Sequence, residues 1–215
     1  MNYDKAIIVI GSICMANAVL YVIAEWRNWQ TARGLSKFVA STAFVVLAVQ
    51  NGAAGSIYGR LILLALIFSW VGDALLLSLR STFLLTGMAA FFLAHAAFAA
   101  AFASLPLETT WLTIALVILT TGALAILSWL WKYLEPFYKI AVPVYLTAIT
   151  VMTSLAIAAS SASPLLATGA LIFVVSDISV ARNRFVERNV VNKIWGMPLY
   201  YAAQLLFAMS VLSHG

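Results

Sequence analysis

The sequence predicts an all-α membrane bundle of eight transmembrane helices, forming one domain over 1–215, and three observations carry that prediction. Hydrophobic residues make up 64% of the chain and charged residues 9%, with a mean hydropathy of +1.03. A soluble domain is roughly 25% charged. The apolar residues gather into runs of about 20, the length needed to cross a hydrocarbon core. Lys and Arg then alternate between the loops in a way that only an even number of crossings explains.

The expected spans lie at 6–24, 36–52, 57–78, 83–103, 109–131, 137–160, 163–182 and 194–213. In the first, Ala16-Asn17-Ala18 resembles a signal-peptide cleavage site. The apolar run continues past it and closes on Trp26 and Trp29, so a retained span is expected. Trp111, Trp129, Trp131 and Trp195 mark the ends of the fifth and eighth spans; with Trp26 and Trp29 they make six of the seven tryptophans. The loops after odd-numbered spans carry Arg27, Arg33, Lys37, Arg80, Lys132, Lys139, Arg182, Arg184, Arg188 and Lys193. The N-terminus and the remaining loops carry only Lys5 and Arg60. Ten against two places the odd loops in the cytoplasm and both termini outside. The expected location is a bacterial cytoplasmic (inner) membrane.

The same distribution bounds function. A pI of about 9.5 invites a nucleic-acid partner, but the basic residues flank apolar runs and form no stripe, so nucleic acid is excluded. Cys14 is the only cysteine, which removes a disulfide framework and a thiolate metal site. His95 and His214 are the only histidines, too few for a multi-histidine zinc centre, and neither a metal nor another cofactor is expected. No protein partner can be inferred.

Five of the seven acidic residues, Asp4, Glu25, Glu108, Glu135 and Glu187, fall near the ends of apolar runs. Asp73 and Asp177 instead sit inside LLALIFSWVGDALLLSL and LLATGALIFVVSDISVA. A carboxylate at membrane depth costs on the order of 2.5–3.5 kcal/mol on insertion scales, so it usually faces the bundle interior and serves a function. At about 1.5 Å per residue, Asp177 lies about 7.5 Å and Asp73 about 10 Å below the cytoplasmic boundary. Tyr145 and Tyr200 reach about 9–10 Å, while His95 and Gln204 sit deeper, at about 16–18 Å. These six residues come from five spans yet occupy one slab, which predicts a single cavity open toward the cytoplasm. The two carboxylates are expected within about 10 Å of each other on its wall, as paired acids are in glycosidases. Tyr201, next to Tyr200, points to another helix face and need not share its role.

SWVGDALLLSLRSTF and FVVSDISVARNRF follow one order: small residue, Asp, apolar residues, Arg, Phe. They close the third and seventh spans, so a four-plus-four internal duplication would set the two aspartates across a pseudo-two-fold axis.

Several segments, in order from about Lys37 onward, resemble the YhhN family. They are LLALIFSWVGDALLLS, FLLTGMAAFFLAHAAFAAAF, VPVYLTAITVMTS, GALIFVVSDISVARNRF and YYAAQLLFAMS. Phe38 departs from the family in following Lys37 where proline is common, and Ala97-Phe98 lacks the tyrosine usual after the histidine. The family's characterised members are lysoplasmalogenases. The resemblance therefore implies a lysophospholipid substrate in a membrane-lipid setting, and hydrolysis of its vinyl ether bond to a fatty aldehyde and glycerophosphoethanolamine or glycerophosphocholine. Such hydrolysis needs a proton donor to the β-carbon, a negative group beside the oxocarbenium ion and a base for water. Two carboxylates in different environments can divide these roles, so Asp73 and Asp177 are the expected catalytic residues. His95, Tyr145, Asn183, Tyr200, Gln204 and Lys37 are expected to bind or orient substrate. Lys37, Arg182 and Arg184 are placed near the cytoplasmic rim, within reach of a head-group phosphate.

A proton-coupled transporter is the competing reading, because paired intramembrane aspartates also serve as proton relays. An intramembrane aspartyl protease is disfavoured, since Asp73 stands in VGDA and Asp177 in VSDI rather than YD and GxGD contexts. A retinal photoreceptor lacks its mid-span lysine.

Overall fold

A computed structural model describes residues 3–78 and 81–214; Arg80, counted above among the loop cations, and Gly215 lie outside the described residues. Eight helices follow one another: α1 (Tyr3–Trp26), α2 (Gln30–Gln50), α3 (Ile57–Leu75), α4 (Ser81–Ala103), α5 (Thr109–Leu130), α6 (Tyr138–Ala158), α7 (Pro164–Ala181) and α8 (Val190–Ser210). All eight are long and apolar enough to cross a membrane, and the described residues contain no strand. An apolar chain in lipid must satisfy its backbone polar groups internally, and a helix does so within one segment.

Two helix starts differ from the expectation by more than three residues. α2 begins at Gln30 rather than 36 and α8 at Val190 rather than 194. The extra α2 residues include Gln30, Thr31 and Arg33, and in α8 Asn192 and Lys193 follow two valines, so hydropathy undercounts both starts. The α8 start is fixed by Asn189, whose side-chain oxygen accepts from the Val191 amide at 3.0 Å. The polar part of α2 also has a direction. Ser36, Lys37 and Ser41 are buried, whereas Leu35, Phe38, Val39 and Val46 face outward. In lipid the apolar face is the outer one, and polar side chains turn to the interior.

α1 packs on α2 and α8, α3 on α4, α7 on α8 and α4 on α6, while α5 leans chiefly on α6. Phe44, Phe98, Phe102, Phe173, Tyr201 and Phe207 fill the centre without exposure. At the even-loop end, Asn51 Nδ2 donates to Ala208 O at 2.9 Å, and Tyr58 OH meets Ser210 Oγ at 2.6 Å. At the odd-loop end, Arg33 Nη2 reaches Leu77 O and Arg184 Nη2 reaches Leu76 O, both at 3.2 Å. Two arginines from separate elements thus hold the carbonyls that directly follow α3. Close helix approach depends on small residues. A Cβ on Gly196 would lie 1.7 Å from Ser179 Oγ, and one on Gly72 would lie 2.6 Å from the Phe91 ring.

Candidate active site

α2 carries Lys37 and Ser41 one turn apart on its buried face, and both reach Asp73 on α3. Lys37 Nζ lies 3.1 Å from Asp73 Oδ1, and Ser41 Oγ donates to Oδ2 at 2.6 Å. Tyr200, from α8, donates its hydroxyl to the same Oδ2 at 2.8 Å. Asp73 is 3% exposed and Lys37 5%. A buried carboxylate survives as an anion only with a counter-charge and hydrogen bonds on both oxygens, and this donor set supplies them.

Asp177, on α7, has a different neighbourhood. Tyr145 of α6 donates to its Oδ2 at 3.2 Å. His95 of α4 places Nε2 3.6 Å from the same oxygen. The His95 ring stands edge-on to Tyr145 and Phe173, with centroids at 5.2 and 4.9 Å. Its Nδ1 lies 2.6 Å from Phe91 O, which can only accept, so Nδ1 carries the hydrogen. In the neutral ring Nε2 is therefore an acceptor facing the carboxyl group. No Lys or Arg of the described residues pairs with Asp177; a tyrosine and an imidazole face it instead. Both contacts fall on Oδ2, and 16% of the side chain remains open to the cavity.

Both aspartates line one cavity of about 120 Å³, together with Lys37, Tyr145 and Tyr200. The rest of its wall is almost wholly apolar, with Leu84, Met88 and Phe91 from α4, Ile126 and Leu130 from α5, and Val142 and Ile149 from α6. The site is a greasy chamber with a polar patch on one side.

A second cavity of about 280 Å³ adjoins it at the odd-loop end. Lys37, Leu76, Val180, Arg184, Phe185 and Met197 line both cavities. The second cavity also meets Arg33, Asn183, Arg188 and Lys193. Asn183 sits in a π-helical turn, Arg182–Val186, closed by the Glu187 amide donating to Arg182 O at 2.9 Å. Its Oδ1 accepts from the Asn189 amide at 3.1 Å.

Several expectations change. Lys37 is not a rim residue; it is buried against Asp73. Arg182 turns outward, 43% exposed, and pairs with Glu187 at 3.6 Å. His95 and Gln204 are fully buried and line neither cavity; they stand behind the wall. The depth estimate had already put these two deeper than the aspartates. Tyr201 does join the Asp73 cluster: its hydroxyl lies 3.3 Å from Ser41 Oγ and donates to Lys37 O at 3.4 Å. Adjacent tyrosines reach one cluster because Tyr200 approaches the carboxylate directly while Tyr201 approaches it from the α2 side. Ser41 was absent from the sequence reading, although its i+4 spacing from Lys37 places it on the same helix face. A second readable signal is Pro-x-Tyr. Pro143 and Pro198 lie inside α6 and α8, each two residues before a tyrosine that donates to an aspartate.

Residues 32–211 match the family model described as YhhN family. The chain belongs to the YhhN family. Over 198 residues, 92% of this chain and 82% of the relative, it is 32% identical to lysoplasmalogenase TMEM86B of Sus scrofa. With lysoplasmalogenase TMEM86A of Bos taurus it shares 32% identity over 165 residues, 70% of this chain. The match covers 65% of that relative, so the chain spans just under two thirds of its length. The human lysoplasmalogenase TMEM86B is 34% identical over 155 residues, 72% of this chain and 65% of that protein. No solved structure matches the chain. Both aspartates fall inside the YhhN-matched region.

Proposed function

We propose that this YhhN-family chain is a lysoplasmalogenase-like hydrolase that cleaves the vinyl ether bond of a single-chain lipid by acid–base chemistry shared between Asp73 and Asp177. The observation that carries the reading is the placement of two unlike carboxyl groups on the wall of one apolar cavity. Relatives that bear the name lysoplasmalogenase support the substrate class.

The alkenyl chain occupies the apolar chamber, with its enol ether carbons against the polar patch. Asp177 is the proton donor: its surroundings contain a hydroxyl and a neutral imidazole rather than a cation. It delivers a proton to the β-carbon, and the C=C electron pair forms that C–H bond. The positive charge left on the α-carbon and ether oxygen is an oxocarbenium ion. Asp73, held as the anion by Lys37, Ser41 and Tyr200, stabilises that charge. Water then adds to the α-carbon and gives up a proton to the Asp177 carboxylate. In the hemiacetal the C–O bond to glycerol breaks with its electron pair going to the glycerol oxygen, which is protonated by Asp177 as the hemiacetal hydroxyl returns its own proton to that carboxylate, releasing aldehyde and glycerophospholipid head. One water is consumed and both carboxyl groups return to their starting states.

The test is aldehyde release by detergent-purified protein from a lysoplasmalogen and from its saturated alkyl ether analogue. Cleavage of the vinyl ether alone supports the reading. No cleavage, together with pH-gradient-driven uptake in proteoliposomes, would replace it with a proton-coupled transporter.

A further inference from the structure

The polar cavity at the odd-loop end carries more positive charge than the protein itself neutralises. Lys37 is matched by Asp73. Arg33 Nη1 and Lys193 Nζ share Glu25, at 3.3 and 2.5 Å, so two cations face one carboxylate. Arg184 and Arg188 also line the cavity; Glu187 lines it too but pairs with Arg182 at 3.6 Å, and no carboxylate of the described residues pairs with Arg184 or Arg188. Arg184 is only partly exposed, and its Nη2 bonds the neutral acceptor Leu76 O. A half-buried guanidinium with no directly paired carboxylate suits an oxyanion, which its planar fork can bind bidentately. Arg184 projects from the π-helical turn Arg182–Val186, a backbone irregularity found often at functional sites. It also borders the apolar cavity that holds both aspartates.

We infer that this cavity is a phosphate-binding subsite, formed by Arg184, Arg188 and the Glu25-bridged pair Arg33 and Lys193, that takes the anionic head group of an amphiphile whose chain lies in the adjoining apolar cavity. The inference rests on the proposed reading of that cavity as a single-chain lipid site, but not on vinyl ether cleavage. It assigns the head group to a place: phosphate among the arginines, glycerol passing Lys37 and Met197, and chain toward Leu130 and Val142. It also couples recognition to the reacting centre. Arg33 and Arg184 hold the carbonyls of Leu77 and Leu76, which directly follow α3, the helix that carries Asp73. A phosphate that draws on those guanidiniums acts on the end of the Asp73 helix.

The test is equilibrium binding to the detergent-solubilised full chain with three probes that contain no vinyl ether. They are 1-oleoyl-lysophosphatidylglycerol, 1-oleoylglycerol and sn-glycerol 3-phosphate. The lysophospholipid should bind at least about 10-fold tighter than the neutral lipid and the free phosphate, and its affinity should fall with added salt. Arg188→Gln, at the exposed end of the segment, and Arg184→Lys, which keeps charge but loses the fork, should each weaken lysophospholipid binding. Arg188→Gln, which lines only the polar cavity, should leave 1-oleoylglycerol binding unchanged, a control that separates head-group loss from misfolding. Equal affinity for 1-oleoylglycerol and the lysophospholipid, or no effect of either substitution, would overturn the inference. Glycerol 3-phosphate binding as tightly as the lysophospholipid would overturn it as well, making the cavity a site for soluble phosphates. Because no probe is cleavable, these outcomes are independent of whether the protein hydrolyses vinyl ethers.

Discussion

Asp73→Asn and Asp177→Asn make similar changes in side-chain shape, yet they should have very different effects on stability. Lys37 is 5% exposed and has its counter-charge 3.1 Å away on Asp73. Removing that charge leaves an ammonium buried without its anion, a loss of about 3–5 kcal/mol for a buried pair. Ser41 and Tyr200 lose little, because the Asn oxygen can still accept from them. Asp177 has no such cation, and an Asn oxygen there still accepts from Tyr145; the cost should stay within about 1 kcal/mol, that of a single neutral hydrogen bond. For a chain of this size about 2–4 °C of melting temperature accompanies each kcal/mol. Asp73→Asn should therefore lower the detergent melting temperature by about 6–20 °C, and Asp177→Asn by no more than about 4 °C. Adding Lys37→Met to Asp73→Asn should recover most of the loss, since replacing a buried ion pair with neutral groups is often stability-neutral. Activity should not return with it. Equal melting temperatures for the two single variants, or no recovery in the double variant, would refute a buried Lys37–Asp73 ion pair as the organising contact of the site.

Each aspartate variant should lose about 10²–10⁴-fold in vinyl ether cleavage, measured as aldehyde release, and the double aspartate variant should be little worse than either. Near-normal cleavage by a folded single variant would exclude the shared mechanism. Ser41→Ala should lower kcat with little change in KM, because it removes a donor to Asp73 Oδ2 but lines neither cavity. Gly196→Val should destabilise by more than about 1–3 kcal/mol, the usual cost of overpacking, since even a Cβ meets Ser179 Oγ at 1.7 Å; unchanged expression and melting would show that α7 and α8 can separate. Reporter fusions at Ser213 and within 182–189 should report opposite sides of the membrane, the second cytoplasmic, from the ten-to-two charge split.

The helix count was legible because each crossing leaves a run that a window of about 20 residues detects and each loop leaves a charge signature. The starts of α2 and α8 were not, because Gln30, Thr31 and Arg33 in one and Asn192 and Lys193 in the other lower the hydropathy that marks a span. Asp73, Asp177, Tyr145 and Tyr200 stood out as polar groups where lipid penalises them, and depth counting put them in one slab; all four line one cavity. Lys37 was misplaced for a physical reason. A lysine near the end of an apolar run reads as an interfacial anchor, and only helix α2's rotation, with Phe38 and Val39 facing out, turns it to Asp73. The two histidines were readable as a shortage of metal ligands. That His95 backs onto Asp177 depends on the α4–α6 packing, which one chain cannot report.

The partners of the two aspartates follow a pattern that the short Asp-containing resemblance hinted at. Asp73 on α3 takes its contacts from α2 and α8. Asp177 on α7 takes its contacts from α6 and α4. Exchanging the first four helices with the last four carries α2 to α6, α3 to α7 and α8 to α4, so one set of contacting helices maps onto the other. The chemistry on those helices has not stayed alike. α2 brings a lysine and a serine where α6 brings a tyrosine, and α8 brings a tyrosine where α4 brings a histidine. The outer helices have diverged as well: α1 packs on both α2 and α8, while α5 leans chiefly on α6 and leaves the Asp177 side bordered by Ile126 and Leu130. Corresponding helices bring two carboxyl groups to one cavity, and their unlike side chains give Asp73 an ion pair with Lys37 and leave Asp177 without a Lys or Arg partner among the described residues. Acid–base chemistry on one bond needs that difference, since two carboxyl groups in like surroundings would compete for the same role.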